Sequence, residues 1–148
     1  MAFVPARGLT SLGSIQASLE RAARACRPPP GAGLVLDAES LLKLKWLERD
    51  GRDFRKVTPG LLRRMEVAFM REESRIITGE QPSEGAPWTA AVTEYRDVVA
   101  ERLNTSGGDV EVTPLAASTI KRKGNARVGY ATGDLQRRVA SAPVRNTR

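Results

Sequence analysis

Three segments of the chain carry apolar residues at steps of three and four, which predicts helices with one apolar face, and a fourth, Leu-rich segment predicts a helix that is apolar on most sides. The segments cover roughly residues 11 to 26, 38 to 47, 59 to 78 and 89 to 103. Asp37 can cap the second helix, and Thr58-Pro59 is a strong start for the third, because Thr accepts hydrogen bonds from free amides and Pro tolerates the first helical position. The third helix, about twenty residues long, is predicted to be the longest and central element.

Shorter stretches predict a small sheet. A short strand is predicted at residues 33 to 37, an alternating one at 110 to 113 and a weaker one at 127 to 130. Residues 1 to 9 read as an extended arm, and the segment from Ala140 onward reads as a tail that orders only on contact. The predicted fold class is therefore α+β, with a mainly helical body, a long central helix, a small antiparallel sheet and extended N- and C-terminal arms.

Composition changes divide the chain into three parts. Residues 1 to 32 form an N-terminal arm, a helix and a Pro-rich linker, residues 33 to 139 form the main domain, and residues 140 to 148 form a basic tail. The helix after Asp37 is apolar on most of its sides, which predicts burial between neighbouring elements or subunits. Trp46 and Trp88 are candidate interface anchors, with ordinary core packing as an equally good interpretation of both.

Composition also argues against catalysis. The 148 residues contain no His and a single Cys, which removes most metal sites, the Ser-His and Cys-His nucleophile pairs and any internal disulfide. No paired-carboxylate motif stands out, and Cys26 on a helical pattern reads as a small buried filler. No apolar run reaches about 18 residues, so no membrane span is expected. We predict that the protein is not an enzyme and has no cofactor or metal.

The positive charge of the chain is concentrated at its C-terminal end. From residue 121 onward the chain has eight basic residues and one acidic residue, Asp134, whereas residues 1 to 120 contain 16 basic and 16 acidic residues. A positive end on a neutral body predicts contact with a negative partner, such as DNA or an acidic protein surface, although a solvated tail that aids solubility has the same pattern. The candidate contact residues are Lys121, Arg122, Lys123, Arg127, Arg137 and Arg138.

Several short motifs occur in a characteristic order along residues 33 to 139. They are Gly85-Ala86-Pro87-Trp88, Pro114-Leu115, Thr119-Ile120-Lys121-Arg122-Lys123-Gly124 and Ala131-Thr132-Gly133-Asp134-Leu135-Gln136. In this order they resemble the tail-completion and virion-morphogenesis proteins of tailed bacteriophages. That family keeps its Trp close to the Pro-Leu pair, whereas here a predicted helix separates the two.

The resemblance implies a structural virion protein of the phage neck, the joint between head and tail. It implies a homo-oligomeric ring around the DNA channel, assembled in the host cytoplasm, with a portal-side connector or adaptor and the tail terminator or tail tube as partners. Non-specific contact with genomic DNA would accompany this role, and no membrane would be involved. Two alternatives remain open: a small basic nucleic-acid-binding protein, and a helical adaptor domain.

Overall fold

The computed structural model describes residues 12 to 29, 31 to 80, 85 to 126 and 133 to 147. These residues form a mainly helical fold with a two-stranded antiparallel sheet, which confirms the predicted fold class. The elements, in chain order, are α1 (Leu12–Ala25), β1 (Gly31–Leu34), α2 (Ala38–Arg49), α3 (Pro59–Ile77), α4 (Ala86–Thr105), α5 (Ala117–Lys123), α6 (Asp134–Ala140) and β2 (Val144–Thr147). The predicted arm at residues 1 to 9 and the strand candidate at 127 to 130 lie outside the described residues.

The helix starts follow the capping residues that the sequence shows. The Asp37 carboxylate accepts a hydrogen bond from the amide of Ser40 at 3.2 Å, and the Thr58 hydroxyl accepts one from the amide of Leu61 at 3.2 Å. Each bond satisfies an amide that has no partner inside its helix, which fixes the first turn of α2 and of α3. The predicted starts of both helices are confirmed.

The central helix is α4 rather than α3. With 20 residues against 19 it is slightly the longer, and it packs against α3, α6 and both strands. Its Val98, Val99 and Leu103 are buried, and the main core joins α4 to α2, α6 and Phe54. The prediction that α3 is the longest and central element is therefore wrong, because most side chains of α3 face solvent along one side.

The sheet joins distant parts of the chain. β1 pairs with β2 in antiparallel register, with Gly31 opposite Thr147 and Leu34 opposite Val144. The C-terminal segment is thus extended, as predicted, but it is paired within the chain instead of waiting for an external contact. The predicted strand at residues 110 to 113 is absent, since the backbone amides of Val110 and Thr113 donate to the carbonyls of Gly107 at 3.1 Å and Gly51 at 3.3 Å and form no ladder.

Candidate functional site

The basic candidates lie on two short helices that the sequence reasoning did not predict. Lys121, Arg122 and Lys123 form the last turn of α5, a helix with no buried residue, and Arg137 and Arg138 lie on α6. Lys121 and Arg122 are exposed, and no acidic residue occurs between residues 117 and 126. Cations in a last helical turn are favoured by the helix dipole, so α5 keeps a positive end for a local reason as well. Arg127 lies outside the described residues.

Arg138 has partners within the chain. Its guanidinium lies 3.1 Å from Asp37, 3.0 Å from Glu39 and 3.0 Å from Asp134, and it thereby ties α6 to the start of α2. Hydrogen bonds from Lys43 and Arg138 lower the pKa of Glu39, and the hydrogen bond from Ser40, with the charge of Arg138, lowers the pKa of Asp37. Arg138 thus serves packing between two helices, unlike the exposed cations of α5.

The two tryptophans differ in their surroundings. Trp88 lies in the first turns of α4, contacts Phe69 edge to face at 5.2 Å between ring centroids and donates its indole N–H to the carbonyl of Cys26 at 2.9 Å. It therefore joins α1, α3 and α4 inside the fold. Trp46 is 53% exposed, and Leu42, one turn earlier on α2, is 46% exposed. Of the two predicted anchors, Trp46 has the surface position that an interface anchor needs.

A buried arginine holds the loop before α3, and the sequence reasoning missed it. Arg102 is 1% exposed, and its guanidinium donates to both carboxylate oxygens of Asp109 at 2.6 and 2.9 Å. It also donates to the carbonyls of Phe54 at 3.0 Å and Lys56 at 2.7 Å, and to the Thr58 hydroxyl at 3.2 Å. The hydrogen bonds that Arg102 and the Thr58 hydroxyl donate to Asp109 hold the pKa of Asp109 well below its usual range. The sequence contains one indication of this role, because Arg102 is a charged residue beside buried Leu103 on an otherwise apolar face of α4.

An apolar cleft of about 420 Å³ opens between β1, α2, α3, α4 and α6. Its lining is mostly Leu and Val, with Tyr95 and Arg55 as the polar members. The Tyr95 hydroxyl lies 3.5 Å from the carbonyl oxygen of Arg55, and burial raises the pKa of Tyr95. Within the described residues no group of three or more acidic or Cys side chains could hold a metal ion. The cleft can accept an apolar group, and its lining carries no acid-base pair.

Comparison with protein-family models, with curated proteins and with solved structures finds no match to the chain. In the part of the chain that the structure describes, none of the helices combines the length and the apolar character that a membrane crossing requires.

Proposed function

We propose that the chain is a structural virion protein of a tailed bacteriophage that forms a ring in the neck and joins the head-side connector to the tail around the DNA channel. Two observations support this proposal. The motif order described above resembles tail-completion proteins, and the helices of this chain leave large apolar side chains in solvent. The second observation carries the proposal, because it concerns the molecule itself.

Two helices each expose a pair of large apolar side chains along one side. Leu42 and Trp46 lie four residues apart on α2, and Leu62 and Met70 lie eight apart on α3, so each pair faces one direction. Exposed apolar side chains grouped on one face mark protein interfaces more often than isolated apolar residues do. Burying a half-exposed Leu or Trp against a neighbour stabilises by roughly 1 to 2 kcal/mol, so several such contacts can hold an assembly together.

The basic end of α5 fits the DNA channel of such a ring. Lys121 and Arg122 are exposed on a helix that buries none of its residues, and Gly124 ends the helix with a positive φ of 81°. Exposed cations on a short helix can contact phosphates without reading base sequence. In this role the chain resides in the neck of the virion, between the portal-side connector or adaptor and the tail terminator or tail tube.

The test is the mass of the purified full chain in solution, measured by light scattering at low and high salt with and without short duplex DNA. The proposal expects a multi-subunit species that persists at high salt, because apolar contacts are not screened by ions. A monomer at every concentration and salt would contradict it.

One observation favours a second candidate, a small basic nucleic-acid-binding protein: Lys121 and Arg122 are exposed within a stretch, residues 117 to 126, whose sequence contains no acidic residue. That function expects a monomer that captures duplex DNA at low salt and releases it steeply as salt rises. Replacing Lys121, Arg122 and Lys123 together by Ala should leave thermal stability unchanged and remove most DNA contact. The matched control replaces three exposed cations elsewhere, Arg24→Ala with Lys45→Ala and Lys56→Ala, which should retain DNA contact.

A further inference from the structure

Helix α3 exposes two adjacent stripes of opposite charge. The basic stripe consists of Arg63, Val67 and Arg71, and the acidic stripe consists of Leu62, Glu66 and Met70. Within each stripe the residues are four apart, so they lie above one another on one side of the helix. The order of side chains is charged, apolar, charged in the basic stripe and apolar, charged, apolar in the acidic stripe.

The charges of both stripes are available. Arg63, Glu66 and Arg71 are exposed, and none of them makes an ion pair or hydrogen bond among the described residues. Other arginines of α3 behave differently: Arg64 lies 3.1 Å from Glu94 and 3.3 Å from Glu101, and Arg75 is held by Glu72 and Glu80. The surface of α3 therefore separates arginines that pair within the chain from arginines that face outward.

The basic stripe borders a shallow groove of about 350 Å³ between α3 and α4. Val67 and Ala68 supply the apolar floor, and arginines lie along its length. The one acidic residue of the lining, Glu94, is paired with Arg64 at 3.1 Å. Gly60 closes one end of the groove and has no side chain to block approach. A helix that carries a carboxylate flanked by apolar side chains suits this groove, because the carboxylate can lie between two guanidinium groups while the arginine stems cover apolar neighbours.

The acidic stripe has that pattern. Glu66 is flanked by Leu62 and Met70, which are 49% and 63% exposed. We propose that the basic stripe of one copy of this chain binds the acidic stripe of the next copy, an inference that rests on the homo-oligomeric ring of the proposed function. The two surfaces are different patches of the same molecule, so each copy can offer one patch to each of two neighbours, and a heterologous contact of this kind forms a ring when its rotation closes.

Charge reversal of each stripe tests the pairing in the full chain. The first variant is R63E with R71E, the second is E66R, and the third combines all three substitutions. The matched control, R24E with K56E, reverses two exposed cations elsewhere and changes the net charge equally. All are measured by light scattering across a concentration series, with circular dichroism to establish that each variant is folded.

The first and second variants should each raise the concentration at which half of the chains are assembled by about tenfold or more, because like charges then face each other. The combined variant and an equimolar mixture of the first two should regain assembly, because both restore opposite charges across the contact. The control should assemble like the original chain.

The outcomes separate this inference from the proposed function. If the original chain assembles and the first variant assembles equally well, the stripe pairing is wrong, but the proposed ring is not contradicted. Failure of the combined variant and of the mixture to recover assembly, with both folded, also overturns the pairing. A monomeric original chain overturns the ring and the pairing together.

Discussion

Removing the Arg102 side chain should be among the most damaging single changes to this fold. In the variant Arg102→Ala, the carbonyls of Phe54 and Lys56 lose their charged donor, and Asp109 loses a bidentate partner. A buried acceptor left without a partner destabilises by roughly 1 to 3 kcal/mol, and breaking a buried ion pair by roughly 3 to 5. Asp109 is about half exposed and can be rehydrated, so we expect a total loss near the lower end, about 3 to 4 kcal/mol.

The assay is urea unfolding followed by circular dichroism, with thermal unfolding as a second measure. For a chain of this length a loss of that size lowers Tm by roughly 10 °C. Asp109→Asn is the matched comparison: it keeps a neutral acceptor beside the buried Arg102 guanidinium but removes the neutralising charge, so we expect a smaller loss, about 1 to 2 kcal/mol. A loss below about 1 kcal/mol for Arg102→Ala, with an unchanged slope against urea, would refute the reasoning that this side chain organises the loop before α3.

Three further predictions concern the tryptophans, Arg138 and the titration of Asp109. Trp88→Ala should destabilise the chain by about 3 kcal/mol because it removes the Phe69 contact and the hydrogen bond to Cys26. Trp46 is 53% exposed, so Trp46→Ala should cost less, about 1 kcal/mol. Urea unfolding of both variants compares the two losses. Arg138→Ala should lower Tm only slightly, and 1 M salt should shrink the difference, since its three partners Asp37, Glu39 and Asp134 are exposed enough for ions to screen the pairs. Because the folded-state pKa of Asp109 is lowered, its contribution is present above the unfolded pKa of about 3.9 and lost as pH falls below it, so Asp109→Asn should flatten the decline of Tm between about pH 5 and 2.

The sequence predicted the elements that depend on local signals. The helical segments α1, α2 and α3 could be located from the spacing of their apolar residues. Asp37 marks the start of α2 and Thr58 the start of α3, each through a hydrogen bond that spans only three residues. The α4 helix begins at Ala86 rather than after Trp88, because Gly85 with a φ of 75° ends the preceding loop and Pro87 is tolerated in the first turn. Local chemistry was thus sufficient to place these elements within a few residues.

The remaining features depend on partners that are distant in sequence. α5 and α6 have seven residues each, too few for a periodic pattern to be distinguished from a loop. β2 carries no apolar alternation and exists because β1 lies beside it. Arg102 could be recognised as a charge on an apolar face, but its acceptors in the loop before α3 could not be read from spacing. The same limit applies to Arg138, whose acidic partners make it a packing residue.

The pairing of β1 with β2 also has a consequence for the order in which the chain folds. Gly31 and Thr147 are more than 100 residues apart, whereas the two helices of the α3 and α4 pair are neighbours in the chain. Closing a long loop carries a larger entropic cost than closing a short one, so α3 and α4 should pack together early and β1 should pair with β2 late. During synthesis β1 leaves the ribosome more than 100 residues before β2, so it has no strand partner until β2 emerges. Pairing of β1 with β2 is therefore expected to be a late step in folding. A chain truncated before Val144 would retain its helices, and β1 would have no strand partner.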